Sequence, residues 1–365
     1  MMKIRFSGFL SLLMIIPLIR VAVMKEVPSV TIEGKELRLQ VEEEKPSSYY
    51  VETPVKITPH GTGFLVGGQV IASPYVKFLS LESPMTVEGK TFPGTIEVRR
   101  MGEKNLLVLN EVPLEDYLLG IFPGEMPVDW PLEALKAQAV AARTYALFRQ
   151  QEKTNPVYDL ETDTADQVYL GVQNKASVPE AVRNAVAQTK GEVVWYLGYY
   201  PAYFHSSCGG QTELAGRVWD KKDLSYSVID RYCKNSPYRQ WELTLSQKDF
   251  LKNLTQKGLE GSQIKSVTLE KKEGSPRNAL VIIETDQMTL FLKATELREL
   301  LGNDRLKSTW FDVEKTPESF IFRGKGFGHG VGLCQWGAKA MAEKGIGYKR
   351  ILQLYYPKTV VRKIY

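Results

Sequence analysis

The sequence predicts an α+β fold: a β-rich N-terminal part, a central α+β core built round an alanine-rich helix, and an inserted α+β lobe before a glycine-rich C-terminal segment. Three observations carry this prediction. Residues 20–110 break into short runs of Val, Ile, Thr and Tyr separated by Gly, Pro and Lys/Glu turns. Residues 132–148 hold six alanines and neither Gly nor Pro. Residues 323–337 place glycine at every second position from Gly324 to Gly332. A length of 365 residues allows a large core and one or two domains. The formal charge of +5 suits an acidic polymer or an anionic surface. The basic residues are dispersed, with no zinc finger, RNA-binding aromatic motif or basic tail, so nucleic acid is not an expected partner.

Residues 1–18 are expected to be an export signal or a short membrane anchor. Lys3 and Arg5 precede an apolar run over residues 6–19, long enough for a signal core and short for a spanning helix. No clean small-x-small cleavage site follows, so cleavage and retention both stay open. A buried first strand is the alternative. The expected location is exported, outside the cytoplasm, with membrane proximity through this segment.

The β-rich part, residues 19–110, shows strand patterns at 20–23, 29–32, 35–41, 49–56, 63–65 and 95–99. It holds no catalytic constellation, and His60 reads as a turn residue. The core, residues 111–243, continues from a strand at 107–112. A short helix over 113–120 is expected to end at Gly120, a suitable C-cap. The stretch GIFPGEMPVDWPLEALKAQAVAARTYALF follows at residues 120–148. Asp129 is placed to cap the helix and Pro131 suits its first turn. Leu135, Ala139, Ala142 and Ala146 form one buried stripe. Lys136, Val140 and Arg143 line a neighbouring stripe, which sets two cations on one side. Glu125 stands on the preceding loop among Phe122, Met126 and Trp130. Loop position alone favours a solvated acid or a cap; a lone carboxylate among apolar side chains is also where an acid–base catalyst sits.

Residues 162–171 (TDTADQVYLG) read as a polar loop entering a strand edge, and 179–188 as a second helix. Strands at 192–197 and 202–205 lead into FHSSCGGQTELAGRVW, which carries His205 and Cys208 at H-x-x-C spacing; Cys233 follows. The auxiliary lobe, 244–316, has a helix capped by Ser246, antiparallel strands at 264–270, 279–284 and 288–292, and a helix ended by Gly302. Residues 317–365 complete the core. The alternating glycines of RGKGFGHGVGLCQWG leave one face of an extended chain bare, open to another backbone or a flat ligand. Neither a P-loop nor a dinucleotide fingerprint fits that spacing.

The chain has three cysteines, an odd count that is no disulfide framework. His205, Cys208 and Cys233, with Cys334 or His329, suit a tetrahedral structural zinc. A Cys208–Cys233 disulfide and small buried thiols are the alternatives. No cofactor is required for the chemistry expected below. His205 and His329 also stand beside glycine-rich backbone where they would line a substrate groove.

EDYLLG, GEMPVDWPLEALKAQAVAARTYA, HSSCGGQTE with VW, and GKGFGHGVGLCQWGA with YYP stand in the order of the SpoIID/LytB family of bacterial cell-wall proteins. The sequence resembles that family over about residues 110–240 and 320–357, and residues 19–34 look like its opening. The resemblance implies a lytic transglycosylase that cuts peptidoglycan strands stripped of stem peptides, or, in the LytB branch, a modifier of a cell-wall amidase. It places the catalytic glutamate on Glu125 and the family's helix cations on Lys136 and Arg143. It also implies Tyr238 as a further substrate-binding residue. Some sporulation members bind zinc through His and Cys, at a spacing that does not map onto this chain.

The implied chemistry needs one carboxyl group. As an acid it protonates the oxygen of the MurNAc–GlcNAc bond; as a base it takes the proton of the muramic 6-hydroxyl, which closes a 1,6-anhydro ring. Water-using glycosidases normally carry two carboxylates. A nearby helix N-terminus with Lys136 and Arg143 would hold Glu125 charged, against the need of a general acid. Either burial against Phe122, Met126 and Trp130 outweighs the cations, or, the preferred reading, the two cations bind the lactyl carboxylates on stripped strands. A non-catalytic glycan-binding activator of an amidase is the second hypothesis. A zinc hydrolase is the third, disfavoured because no H-E-x-x-H motif is present.

Overall fold

The computed structural model describes residues 16–41, 47–80, 84–162, 166–172, 174–219 and 225–365. Most of the expected signal segment therefore lies outside the described residues. From Leu18 the chain is already a strand, with Ile19 and Val21 fully buried. No described helix is long and apolar enough to cross a membrane.

The N-terminal part is two sheets. The larger runs Leu160–Glu161, Leu18–Val27, Asn105–Pro113, Thr95–Met101, Tyr75–Ser80, Leu37–Val41 and Ser47–Tyr50 in spatial order. The second has six strands, from Lys90–Phe92 at one edge to Gln69–Ile71 at the other. The strands between residues 69 and 92 escape the sequence reading because most are only three residues long, too short for a period of two to register. His60 ends the strand Val55–His60, just before the turn at Gly61.

Helix α1 spans Leu114–Glu125 and α2 spans Leu132–Glu152. Two expectations fail here. α1 does not stop at Gly120 but runs one turn further, through Pro123, and takes Glu125 as its last residue. Asp129 caps nothing: α2 starts behind Pro131 without a side-chain cap, and Asp129 is exposed. α2 is buried on two faces. Leu135, Ala139, Ala142 and Ala146 face the core of the two sheets, while Ala134, Ala137, Val140 and Ala141 face a second core. A helix covered on both sides must be apolar nearly all round and small enough for close approach, which is what its alanines provide.

Helix α3 (Glu180–Gln188) packs on α2. The short α4 (Ala215–Val218) lies between the cysteine stretches. Strand Trp241–Ser246 enters a lobe with its own core. That lobe contains α5 (Gln247–Thr255), an antiparallel sheet of Ile264–Lys271, Asn278–Thr285 and Thr289–Lys293, and α6 (Ala294–Leu301). Ser246 caps α5 by accepting from the Asp249 N–H at 3.0 Å, and Gly302 follows α6. Strand Ser319–Gly324 pairs with Trp241–Ser246 and leads back out. Helices α7 (Gln335–Ala342) and α8 (Tyr348–Tyr355) close the second core against α2.

Candidate active site and a buried thiol cluster

Glu125 is half-buried at the C-terminal end of α1. Its position follows from two glycines one helical turn apart. A Cβ at Gly120 would lie 2.4 Å from the Tyr169 ring, and one at Gly124 would lie 2.7 Å from the Val168 side chain. Their absence lets residues 168–171 lie directly on α1, where the Leu170 N–H donates to Gly120 O at 3.1 Å. The Val168 N–H then donates to Glu125 Oε1 at 2.6 Å. From the other side Gln335, the first residue of α7, donates to the Glu125 backbone oxygen at 3.0 Å. Trp336 meets Trp130 edge-on at 5.0 Å, with the Lys339 ammonium over both rings. The glutamate thus sits where α1, residues 168–171 and the start of α7 converge.

Burial pushes the Glu125 carboxyl up to about 7, against the pull of the Val168 N–H. The end of α1 acts in the same direction, because a helix C-terminus disfavours a negative charge. This reverses the expected electrostatics. Glu125 ends one helix rather than preceding the start of another, and both expected cations are spoken for. Lys136 pairs with Glu133 at 2.7 Å and lies over the Tyr348 ring.

Arg143 is fully buried and is not available to a substrate. Its guanidinium grips Glu115 with two bonds of 2.9 and 2.8 Å and donates to Glu192 O at 3.1 Å. Tyr365 also donates to Glu115, at 2.6 Å. Arg143 ties α1, α2 and the strand Glu192–Trp195 together. Its expected role as an anion binder is therefore corrected: heptad spacing put it in line with Lys136, but α2 has no solvent face at that position.

Tyr238 packs edge-on against Phe327 at 4.8 Å, and its carbonyl accepts from the Gly326 N–H. It belongs to the surroundings of the glycine-rich segment. That segment's bare face is filled by backbone. A Cβ at Gly332 would lie 2.0 Å from Tyr203 O, and Ser207 and Phe327 exchange both N–H···O bonds. His205 is buried and His329 half-buried, with ring centroids 5.5 Å apart. His329 also meets the Trp219 ring at a tilt, with centroids 4.9 Å apart. Burial holds both imidazoles neutral, His205 down to about 3 and His329 well below its ordinary value.

The cysteines converge, but not with the expected fourth partner. The ligand atoms of Cys208, Asp230, Cys233 and Cys334 lie within 4.8 Å of one another, and all four residues are buried. His205 stays outside the cluster. Its Nδ1 donates to Val331 O at 3.0 Å, a bond fixed by the parallel pairing of Phe204–His205 with Leu333–Cys334. The Cys208–Cys233 disulfide is not formed: all three cysteines are free thiols. Asp230 escaped the sequence reading, although D-x-x-C from Asp230 to Cys233 has the same spacing as the H-x-x-C that drew notice. Val168 and Gln335 escaped it too, because one acts through its backbone and the other binds a carbonyl 210 residues away.

A family model described as stage II sporulation protein (SpoIID) matches residues 102–196, the span that holds α1, α2 and Val168. Stage II sporulation protein D of Bacillus subtilis (strain 168) is 30% identical over 289 residues, covering 74% of this chain and 80% of that protein. The chain belongs to the SpoIID/LytB family. An amidase enhancer of the same organism is 32% identical over 337 residues, 77% of this chain but 45% of that protein. An uncharacterized protein of Brachyspira hyodysenteriae is 36% identical over 253 residues, 69% of this chain and 67% of its own length. A domain of unknown function, DUF8618, matches residues 216–332. In this SpoIID/LytB chain that second match takes in the lobe, Asp230, Cys233 and most of the glycine-rich segment.

Proposed function

We propose that the protein is an exported lytic transglycosylase that cleaves the MurNAc–GlcNAc bonds of peptidoglycan strands stripped of stem peptides. The observation that carries this reading is the state of Glu125: a half-buried carboxyl raised to about 7, at the end of a helix and held by one N–H. Such a group keeps its proton near neutral pH and gives it up readily, as a single residue acting first as acid and then as base must. Protonation of the glycosidic oxygen lets the C1–O bond break. The muramic 6-hydroxyl then attacks C1 while Glu125 takes back its proton, giving the 1,6-anhydro sugar without consuming water. The described carboxylates of the neighbouring segment are engaged elsewhere. Asp166 accepts from Tyr145 at 2.7 Å and lies 3.0 Å from Arg149, and Glu161 pairs with Lys25. Those two are therefore not free to act as the second carboxylate of a hydrolysis, while Asp129, exposed four residues after Glu125, is the nearby acid that product analysis must exclude.

A second reading, a glycan-binding activator of a cell-wall amidase, rests on the likeness to an amidase enhancer. One experiment separates the two. Purified protein is incubated with amidase-treated sacculi and the products are read by mass spectrometry. Anhydromuramic products that vanish in Glu125→Gln support the enzyme. Unchanged strand length, with faster stem-peptide release when the amidase is added, supports the activator.

A further inference from the structure

Outside the glutamate site, the second core holds the densest group of chemically capable side chains, and the reaction above uses none of them. Cys208 follows the strand Phe204–His205; Cys233 opens a short 3-10 turn with Asp230 three residues ahead; Cys334 is the N-cap of α7. We propose that Cys208, Asp230, Cys233 and Cys334 hold a structural zinc ion that locks the start of α7 to the cysteine loops.

Geometry supports this first. Four ligands around a tetrahedral zinc, at about 2.3 Å for sulfur and 2.0–2.2 Å for oxygen, lie roughly 3.5–3.8 Å from one another. The four groups span up to 4.8 Å, with Cys208 Sγ and Asp230 Oδ2 at 3.2 Å, so closing on an ion takes only small side-chain movements.

Each sulfur has a hydrogen-bonding N–H or hydroxyl beside it. The Gly210 N–H points at Cys208 Sγ at 3.3 Å. The Cys208 and Gly337 N–H groups point at Cys334 Sγ at 3.3 and 3.4 Å, and Ser207 Oγ lies 3.2 Å from Cys233 Sγ. Donors aimed at each sulfur orient and tune metal-bound cysteines. A neutral buried thiol packs as a small apolar group and needs none of them. Asp230 is fixed in the same way. Its Oδ1 accepts from the Tyr232 and Cys233 N–H groups at 2.8 and 3.1 Å, and its Oδ2 from Tyr355 at 2.9 Å. A Cβ at Gly337 would lie 2.4 Å from Asp230 Oδ2, so α7 approaches as closely as backbone allows.

Charge gives the third argument. Three thiolates, one carboxylate and Zn²⁺ sum to a net charge of about −2. Arg277, almost fully buried, donates from Nη2 to Cys208 O at 2.9 Å, while its Nε and Nη1 have no hydrogen-bond partner. A buried guanidinium with spare donors is costly unless an anionic group lies near, and the occupied cluster is one.

Four protein ligands leave no open position, so the ion is structural, and soft thiolates with one carboxylate favour zinc over the harder Mg²⁺ or Ca²⁺. Its effect reaches the glutamate through one peptide bond: Cys334 is followed by Gln335, which holds the Glu125 carbonyl.

The test uses the full chain purified under reducing conditions without chelator. Elemental analysis is expected to find about one zinc per chain. Replacing it with Co²⁺ should give the strong visible bands of a tetrahedral thiolate site. Cys334→Ser is expected to lose the metal, but it risks misfolding. Asp230→Asn keeps the shape and, in soluble folded protein, should weaken zinc retention against a chromogenic chelator by at least about tenfold. His205→Ala should leave zinc content unchanged. Folded wild-type protein with no stoichiometric metal would overturn the proposal, whether its three thiols titrate free or a Cys208–Cys233 disulfide appears in peptide maps. Loss of zinc in His205→Ala with retention in Asp230→Asn would overturn the ligand set.

Discussion

Glu125 and Arg143 show how differently two residues of one motif are used. Burial raises the Glu125 carboxyl from 4.5 to about 7 against the pull of the Val168 N–H, so the protonated acid is the form the fold prefers. Activity on stripped strands is expected to fall as pH rises through about 7, a decline read directly in the rate of anhydromuramic product release. Stability carries the same sign. Because the folded value lies above the unfolded one, the protonated group's contribution is complete below about pH 4.5 and lost as pH rises to about 7. Glu125→Gln should therefore be inactive yet more stable than the wild type at pH 8 in urea titrations, with the two converging near pH 4. Arg143 carries no comparable chemistry. Its removal takes both guanidinium bonds from the half-buried Glu115 and leaves it the Tyr365 hydroxyl, and opens a void in the core, so Arg143→Ala should lose about 3 kcal/mol of stability. A raised KM with unchanged melting temperature would instead return Arg143 to the substrate.

Among the elements, α1 decides the site. Its glycines at positions 120 and 124 serve neither a turn nor a cap; both are helical and give up side chains so that residues 168–171 can touch the helix. Gly124→Ala would push Val168 off by the width of a methyl group and loosen the bond to Glu125. We expect a cost of about 1–3 kcal/mol in denaturant unfolding and a drop in turnover larger than any change in KM. The element boundary matters for the same reason. Placing Glu125 on a loop before α2 made the helix N-terminus an opponent of acid catalysis, whereas its place at the end of α1 makes a helix C-terminus an ally.

Taken whole, the described residues form one core under the N-terminal sheets, one around the cysteines and one inside the lobe, besides a small cluster of Ala22, Leu107 and Leu109, with α2 shared by the first two. The lobe leaves and re-enters through the paired strands Trp241–Ser246 and Ser319–Gly324, so its packing is largely its own. Phe250 is fully buried there against Phe320 and Phe322. Phe250→Ala should cost the lobe about 3–5 kcal/mol. In hydrogen exchange, amides of residues 241–324 would then open faster while those of α2 keep their protection. Faster exchange throughout α2 would show that lobe and core unfold as one.

The parts whose cause is local were legible along the chain: the alanine helix, the Ser246 cap, the Gly302 stop, the three lobe strands and the order of motifs that marks the family. Glu125 and the three cysteines also stood out there. Tertiary structure decided what those residues meet. A backbone N–H from residue 168, an amide from residue 335 and a carboxylate at 230 leave no periodic trace, because their partners lie tens to hundreds of residues away. Arg143 looked exposed because spacing along one helix cannot reveal that α1, α3 and the strand Glu192–Trp195 close over it. Periodicity reports the surface of an element, and what covers that surface is settled only when the distant segments pack.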